Sequence, residues 1–393
     1  MQNTHIFDQF ADGKETQQIR DNLFLDMVTL YEDYDEEMLY FTRDIDELSG
    51  RKVFLEGVAS YLGKSINTSA EELLAEVKMR YKEKGIELTR TVKTWFQKKD
   101  TSPSADQAHR HNLYDFCVAM GMDYYTTAEF FFKSFLTIPF NYKDRDDAIY
   151  FYCLKNNRPY SVIKQMRDLA KNFETTNTDI AHTEEIGIHI LDIESDEEFL
   201  AYLRKHCYDK SHQYATAKRK LSELVVANKK IVPGTGEDDH ELLFDDLGTT
   251  KTSALLGAIL GYHYQSLDSS QRKQLSKNDL PTFPRDGDID KAIADGSEVS
   301  FETLRKSLIL MKFYNFYRSY QINEHKATID DRNIAEYLED FRSEINSDLA
   351  ECGFVQMYVR NPYDWIILHC ANSPDPVYFL QDFIAKRYRG IMD

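Results

Sequence analysis

Apolar positions along the chain recur at helical rather than alternating spacing. Leu23, Leu25, Val28, Leu30 and Tyr31 fall in one acidic amphipathic stretch, and Asp35 to Leu48 predicts a second helix. Phe54, Val58, Tyr61 and Leu62 mark a third, with Gly63 as its stop. Thr68 and Glu71 have capping-box spacing ahead of EELLAEVKMRYKEKG, where Gly85 suits the position after the C-cap. Thr126 with Glu129, and Ser195 with Glu198, repeat that spacing. Asn361-Pro362 and Asp375-Pro376 each set a polar cap before a proline that fits the first helical position. Leu304, Leu308, Met311, Tyr314 and Phe316 predict the buried face of a long late helix. GIHILDI (187–193) and FVQMYV (354–359) alternate enough to suggest short strands, yet neither has an evident pairing partner. The expectation is therefore an all-α fold, a multi-helix bundle. No period of 20–50 residues stands out.

Polar, turn-rich segments interrupt the helices at 174–185, 231–241 and 275–288. They place domain boundaries near 175 and near 235–250. The expected organisation is an N-terminal helical domain over 1–140, a central helical region over 141–235 and a C-terminal helical domain over 250–393.

Charge narrows the partners. Asp plus Glu number 66 against 48 Lys plus Arg, a net charge of −18 over 393 residues. Such a surface repels nucleic acid and anionic membranes, so any nucleic-acid contact needs a locally basic patch. The five cysteines are widely spaced and form no CxxC. Cys117, Cys153 and Cys370 sit among apolar neighbours, which points to buried thiols rather than disulfides or a zinc site. The first residues lack a basic-then-apolar leader pattern, and no apolar run approaches the roughly 20 residues that span a bilayer. A cytoplasmic protein without a membrane partner is expected.

Motifs that would carry chemistry are incomplete. GTTKTS (248–253) lacks the glycines that let backbone amides wrap a phosphate, so Thr249 or Thr250 is expected to cap the following helix. Asp286-Gly287-Asp288-Ile289-Asp290 opens like a calcium loop, but Lys291 and Ser297 stand where glycine and a bidentate Glu are needed. Asp288 is expected to cap a helix instead. Asp144, Asp146 and Asp147 read as acidic enrichment at a helix N-terminus. No HExxH, GxSxG or strand-borne GxGxxG occurs. No catalytic residue, metal site or cofactor is expected.

One segment departs from the global charge. Residues 78–110 carry Lys78, Arg80, Lys82, Lys84, Arg90, Lys93, Lys98, Lys99 and Arg110 against Glu83, Glu87, Asp100 and Asp106. The run LTRTVKTWFQKKDTSPSADQAHRHNLYDFCVAMGMDYYTTAEFFFKSFL resembles the second half of a Cro/C1-type helix-turn-helix domain. In that resemblance Thr89 to Phe96 is the recognition helix, Lys99 to Ser104 the following turn, Leu113 to Gly121 the fourth helix and Thr126 to Leu136 the fifth. VFLEGVASYLGKS and SAEELLAEVKMR serve as the first two helices, so the similarity spans about residues 53–136. The chain departs from the compact family pattern in EVKMRYKEKGIEL, which is longer than a tight turn. The resemblance implies a non-enzymatic regulatory protein that binds double-stranded DNA. Thr91, Lys93 and Thr94 would face base edges, with Arg90, Lys98 and Lys99 on phosphates. The other reading of the same residues is a helical interaction or scaffold protein, of the kind carried by mobile elements or defence systems. Its acidic surface would meet a protein partner or a second copy of the chain.

Overall fold

A computed structural model describes residues 53–97, 110–174, 183–206, 208, 214–232, 250–275, 283–294, 298–322, 334–358 and 361–392. The two helices expected before residue 53 lie outside this set. Among the described residues the regular structure is helical, with no β-strand. The chain groups into two compact units. One holds the described residues between Arg51 and Tyr214 together with Cys352–Val355. The other holds those between Ala215 and Glu351 together with Gln356–Asp393. The turn-rich segments near 175 and 235–250 fall largely outside the described residues, and the division between units comes at Tyr214/Ala215.

The first unit opens with α1 (Val53–Tyr61), α2 (Ala70–Glu83), α3 (Arg90–Trp95), α4 (Arg110–Met120) and α5 (Tyr124–Phe130). The last of these runs on as a π-helical turn, Phe131–Phe135, which Leu136 ends in a left-handed conformation. Phe54 of α1 is the centre of an aromatic core. Its ring meets Trp95 at 5.6 Å, Phe96 at 5.3 Å, Phe116 at 5.5 Å and Phe135 at 5.8 Å. Burying side chains of this size stabilises by about 1.5–3 kcal/mol each, which fixes short helices that propensity alone would not hold. Gly57 lets α1 approach closely, since a Cβ there would lie 2.0 Å from the Ser134 hydroxyl.

The same unit continues with α6 (Arg145–Lys155), α7 (Tyr160–Ala170), α8 (Thr183–Asp192) and α9 (Asp196–Lys205). The pairs α4–α5 and α6–α7 are matching hairpins. Each first helix carries a buried cysteine, Cys117 or Cys153, whose carbonyl accepts from the backbone N–H of Met122 or Arg158. Each turn passes through one left-handed residue, Gly121 or Asn157. Each second helix begins at a tyrosine, Tyr124 or Tyr160. This repetition is invisible as a sequence period because it rests on turn geometry and a few core positions.

The second unit contains α10 (Ala215–Lys229), α11 (Thr252–Leu260), α12 (Ser269–Leu275), α13 (Asp286–Ile293), α14 (Phe301–Ile322), α15 (Ile334–Glu351), α16 (Pro362–Ala371) and α17 (Pro376–Met392). Long α14 is its axis, packed by α10, α13, α15, α16 and α17. Leu304, Leu308, Met311, Tyr314 and Phe316 are buried as the sequence suggests. Asn228 of α10 donates through Nδ2 to the Met311 carbonyl at 2.8 Å.

Several local readings need correction. GIHILDI is helical in α8 up to Asp192: Ile186, just before it, and Ile190 are buried four residues apart while Ile188 is half exposed, so its alternation coincides with a helical stripe. Residues 354–358 form no ladder. The Met357 N–H donates to Asn346 Oδ1 and the Tyr358 N–H to Asp364 Oδ2, so side-chain oxygens replace a partner strand. Ser69 and Asp123, rather than Thr68 and Thr126, cap α2 and α5, accepting from the N–H of Glu72 and Thr126. Lys251 is the N-cap of α11, and Thr252 uses its hydroxyl on Asp290. Asp288 lies inside α13, where its carboxylate accepts from the Arg285 N–H. Ser195 and Asn361 cap their helices as expected.

Candidate nucleic-acid interface

The basic segment of the sequence divides sharply in the structure. Arg110 leaves the surface altogether. Its Nε donates to both Asp147 oxygens, at 3.0 and 2.7 Å, and its Nη2 to the carbonyls of Ile138 and Pro139, at 2.7 and 3.1 Å. Arg80 is also engaged, donating to the Met120 carbonyl at 3.1 Å and lying 3.7 Å from Glu76. Lys78, Lys82 and Lys84 on and beside α2, and Arg90 and Lys93 on α3, are exposed.

Helix α3 is short, so its orientation depends on anchors. Thr89 caps it, accepting from the Val92 N–H at 3.3 Å and donating to the buried Asn112 Oδ1 of α4 at 3.0 Å. Val92, Trp95 and Phe96 are buried, and Trp95 lies 6.1 Å from both Phe116 and Phe135. The six residues Lys84–Thr89 link α2 to α3. Gly85 takes the left-handed conformation there, and buried Ile86 donates its N–H to the Tyr81 carbonyl.

With Val92 and Trp95 inward, helical spacing puts Arg90, Lys93 and Thr94 on one outward face, and exposed Gln97 follows just after the C-cap Phe96. Arg90 and Lys93 have no ion-pair partner among the described residues. Thr94 is half-buried and its hydroxyl donates to the Thr91 carbonyl at 2.7 Å. Thr91 is half-buried and stands off the exposed stripe. Lys98 and Lys99 lie outside the described residues. Gln97 is an addition to the residues the sequence singled out, and its i, i+3, i+4, i+7 relation to Arg90, Lys93 and Thr94 is the signal that marks it.

Burial pushes the Cys153 thiol up to about 12 and the Cys117 thiol higher still, which suits inert core thiols rather than nucleophiles. Asp115 accepts from the Tyr150 hydroxyl at 2.6 Å, and Arg167 bridges that hydroxyl to Asp146, at 3.1 and 2.9 Å. The chemistry this surface offers is electrostatic: two exposed cations, without an ion-pair partner among the described residues, on a helix anchored by Val92 and Trp95.

Comparison with protein-family models, curated proteins and solved structures finds no match to this chain.

Proposed function

We propose that the outward face of α3 contacts nucleic acid, with Arg90 and Lys93 on phosphates and Thr94 and Gln97 toward base edges. The observation that carries this reading is the orientation of α3. Val92, Trp95 and the C-cap Phe96 anchor it in the core, and its exposed stripe carries two cations without carboxylate partners among the described residues, in a chain of net charge −18. Such a patch supplies the counterion-release term that drives nucleic-acid affinity. Lys98 and Lys99 follow directly in sequence and extend the same positive run. The protein is then a non-enzymatic regulator that acts on double-stranded DNA. The test is a mobility-shift titration of the full chain on duplex fragments across a range of salt. Affinity falls with salt at a slope of about −0.9 per phosphate contact. Absence of any complex at low salt overturns the reading.

The matching hairpins α4–α5 and α6–α7 favour a second reading, a helical interaction scaffold. Stacked helical hairpins present side chains in register along an extended surface. Without DNA binding, the acidic surface and a basic protein partner become the leading pair, read by affinity capture under low salt.

A further inference from the structure

We infer that the open groove where α7 and α9 end in the first unit is a docking site for a partner-protein segment that presents large apolar side chains beside carboxylates. The groove has a volume of about 750 Å³. Leu169, Phe173 and Leu200 line it with apolar surface, and Leu169 is 50% exposed beside the other two, so the apolar side chains form a patch rather than a single exposed residue. Arg204 and Lys205 border it. The Arg204 guanidinium lies over the Phe173 ring, 4.8 Å from its centroid. Neither cation has a carboxylate partner among the described residues, and Glu174 is the one acid in the lining.

Charge complementarity selects the occupant. The net charge of −18 disfavours an acidic partner over the chain as a whole, and two cations without carboxylate partners among the described residues, beside apolar side chains, mark a place where it is accepted. The apolar side chains of the partner would cover Leu169 and Leu200, and its carboxylates would meet Arg204 and Lys205. The groove is open to solvent, which suits a peptide segment rather than an enclosed small molecule. This inference does not depend on nucleic-acid contact by α3.

The experiment uses the full chain and the fluorescein-labelled peptide Gly-Asp-Leu-Phe-Asp-Gly, with its Asn-for-Asp and Lys-for-Asp analogues. The acidic peptide is expected to bind, and to bind at least tenfold more weakly to Arg204→Glu, Lys205→Glu and Leu169→Asp. These positions are at the surface, so the variants keep their melting temperature. Equal binding of the lysine analogue, unchanged binding by the variants, or no binding overturns the proposal. Sedimentation of the unliganded chain supplies a further arm: a dimer that the same variants dissociate would make a second copy the occupant and overturn the assignment to a foreign partner. Retained mobility shift in these variants keeps the outcome separate from that of the α3 reading.

Discussion

Arg305 and Asp364 face one another as two forks. Nη1 donates to Oδ1 at 2.8 Å and Nη2 to Oδ2 at 2.7 Å, with both side chains buried. The same carboxylate accepts the N–H of Tyr358, and the same guanidinium holds the Gln356 carbonyl at 3.1 Å. In the first unit Arg110 and Asp147 form a second buried pair, in which Nε of Arg110 donates to both carboxylate oxygens. Asp147 accepts the N–H of Asn141 at 2.9 Å, and Arg110 holds the carbonyls of Ile138 and Pro139. In both cases the aspartate lies two residues beyond the first residue of a helix capped by Asp144 or Asn361. Each pair pins the backbone leading into that helix.

Removing one partner of the Arg305–Asp364 pair leaves an uncompensated buried charge. Asp364→Ala is expected to destabilise the second unit by about 3–5 kcal/mol. The double variant Arg305→Met/Asp364→Leu is expected to recover part of that loss, because both desolvation penalties vanish together while the Tyr358 N–H and the Gln356 carbonyl lose their partners. Chemical denaturation of the three proteins checks both statements.

His369 gives the second unit an acid sensitivity. It is buried between Trp365, at 5.0 Å, and Phe379, at 5.7 Å, and burial lowers its imidazole to about 3 from 6.5. The unfolded chain therefore binds a proton that the folded chain refuses. Stability is intact above pH 6.5 and falls below it, by about 1.4 kcal/mol per pH unit from this group until its folded value is reached. His369→Phe is expected to flatten that part of the stability–pH curve measured by urea titration. A curve with unchanged slope would refute the assignment.

Trp95→Ala is expected to cost about 3–5 kcal/mol, because the ring is buried among Phe54, Phe116 and Phe135. Thermal melts of the variant read the loss directly. An unchanged melting temperature would mean that α3 is not held by this core.

The α3 residues separate by role. Arg90→Ala and Lys93→Ala are expected to weaken binding across all duplex sequences and to lower the salt slope by about 1 each. Gln97→Ala and Thr94→Val are expected to leave the slope alone and to alter sequence preference. Competition shifts with a set of duplexes distinguish the two behaviours.

Gly187 packs against the Tyr142 ring so closely that a Cβ would lie 2.5 Å from it. Gly187→Ala is expected to destabilise the first unit by about 1–3 kcal/mol through overpacking. Tyr142→Leu in the same background is expected to restore part of it, as a thermal-shift comparison would show.

The sequence by itself determined the helical class and the face that α14 buries. It also marked the caps at Ser195 and Asn361. Each of these follows from spacing and local chemistry within a few residues. Tertiary structure alone decided which charges remain at the surface. Arg110 counts toward the basic run in sequence, yet a carboxylate 37 positions away draws it inside. The strand-like alternation of GIHILDI yields to helix because Ile186 and Ile190 find a core, and the repeated hairpins become visible only in their turns. Local pattern fixes the period of an element. The partner of a charge, and hence whether it can meet a ligand, depends on distant residues that only the folded chain brings together.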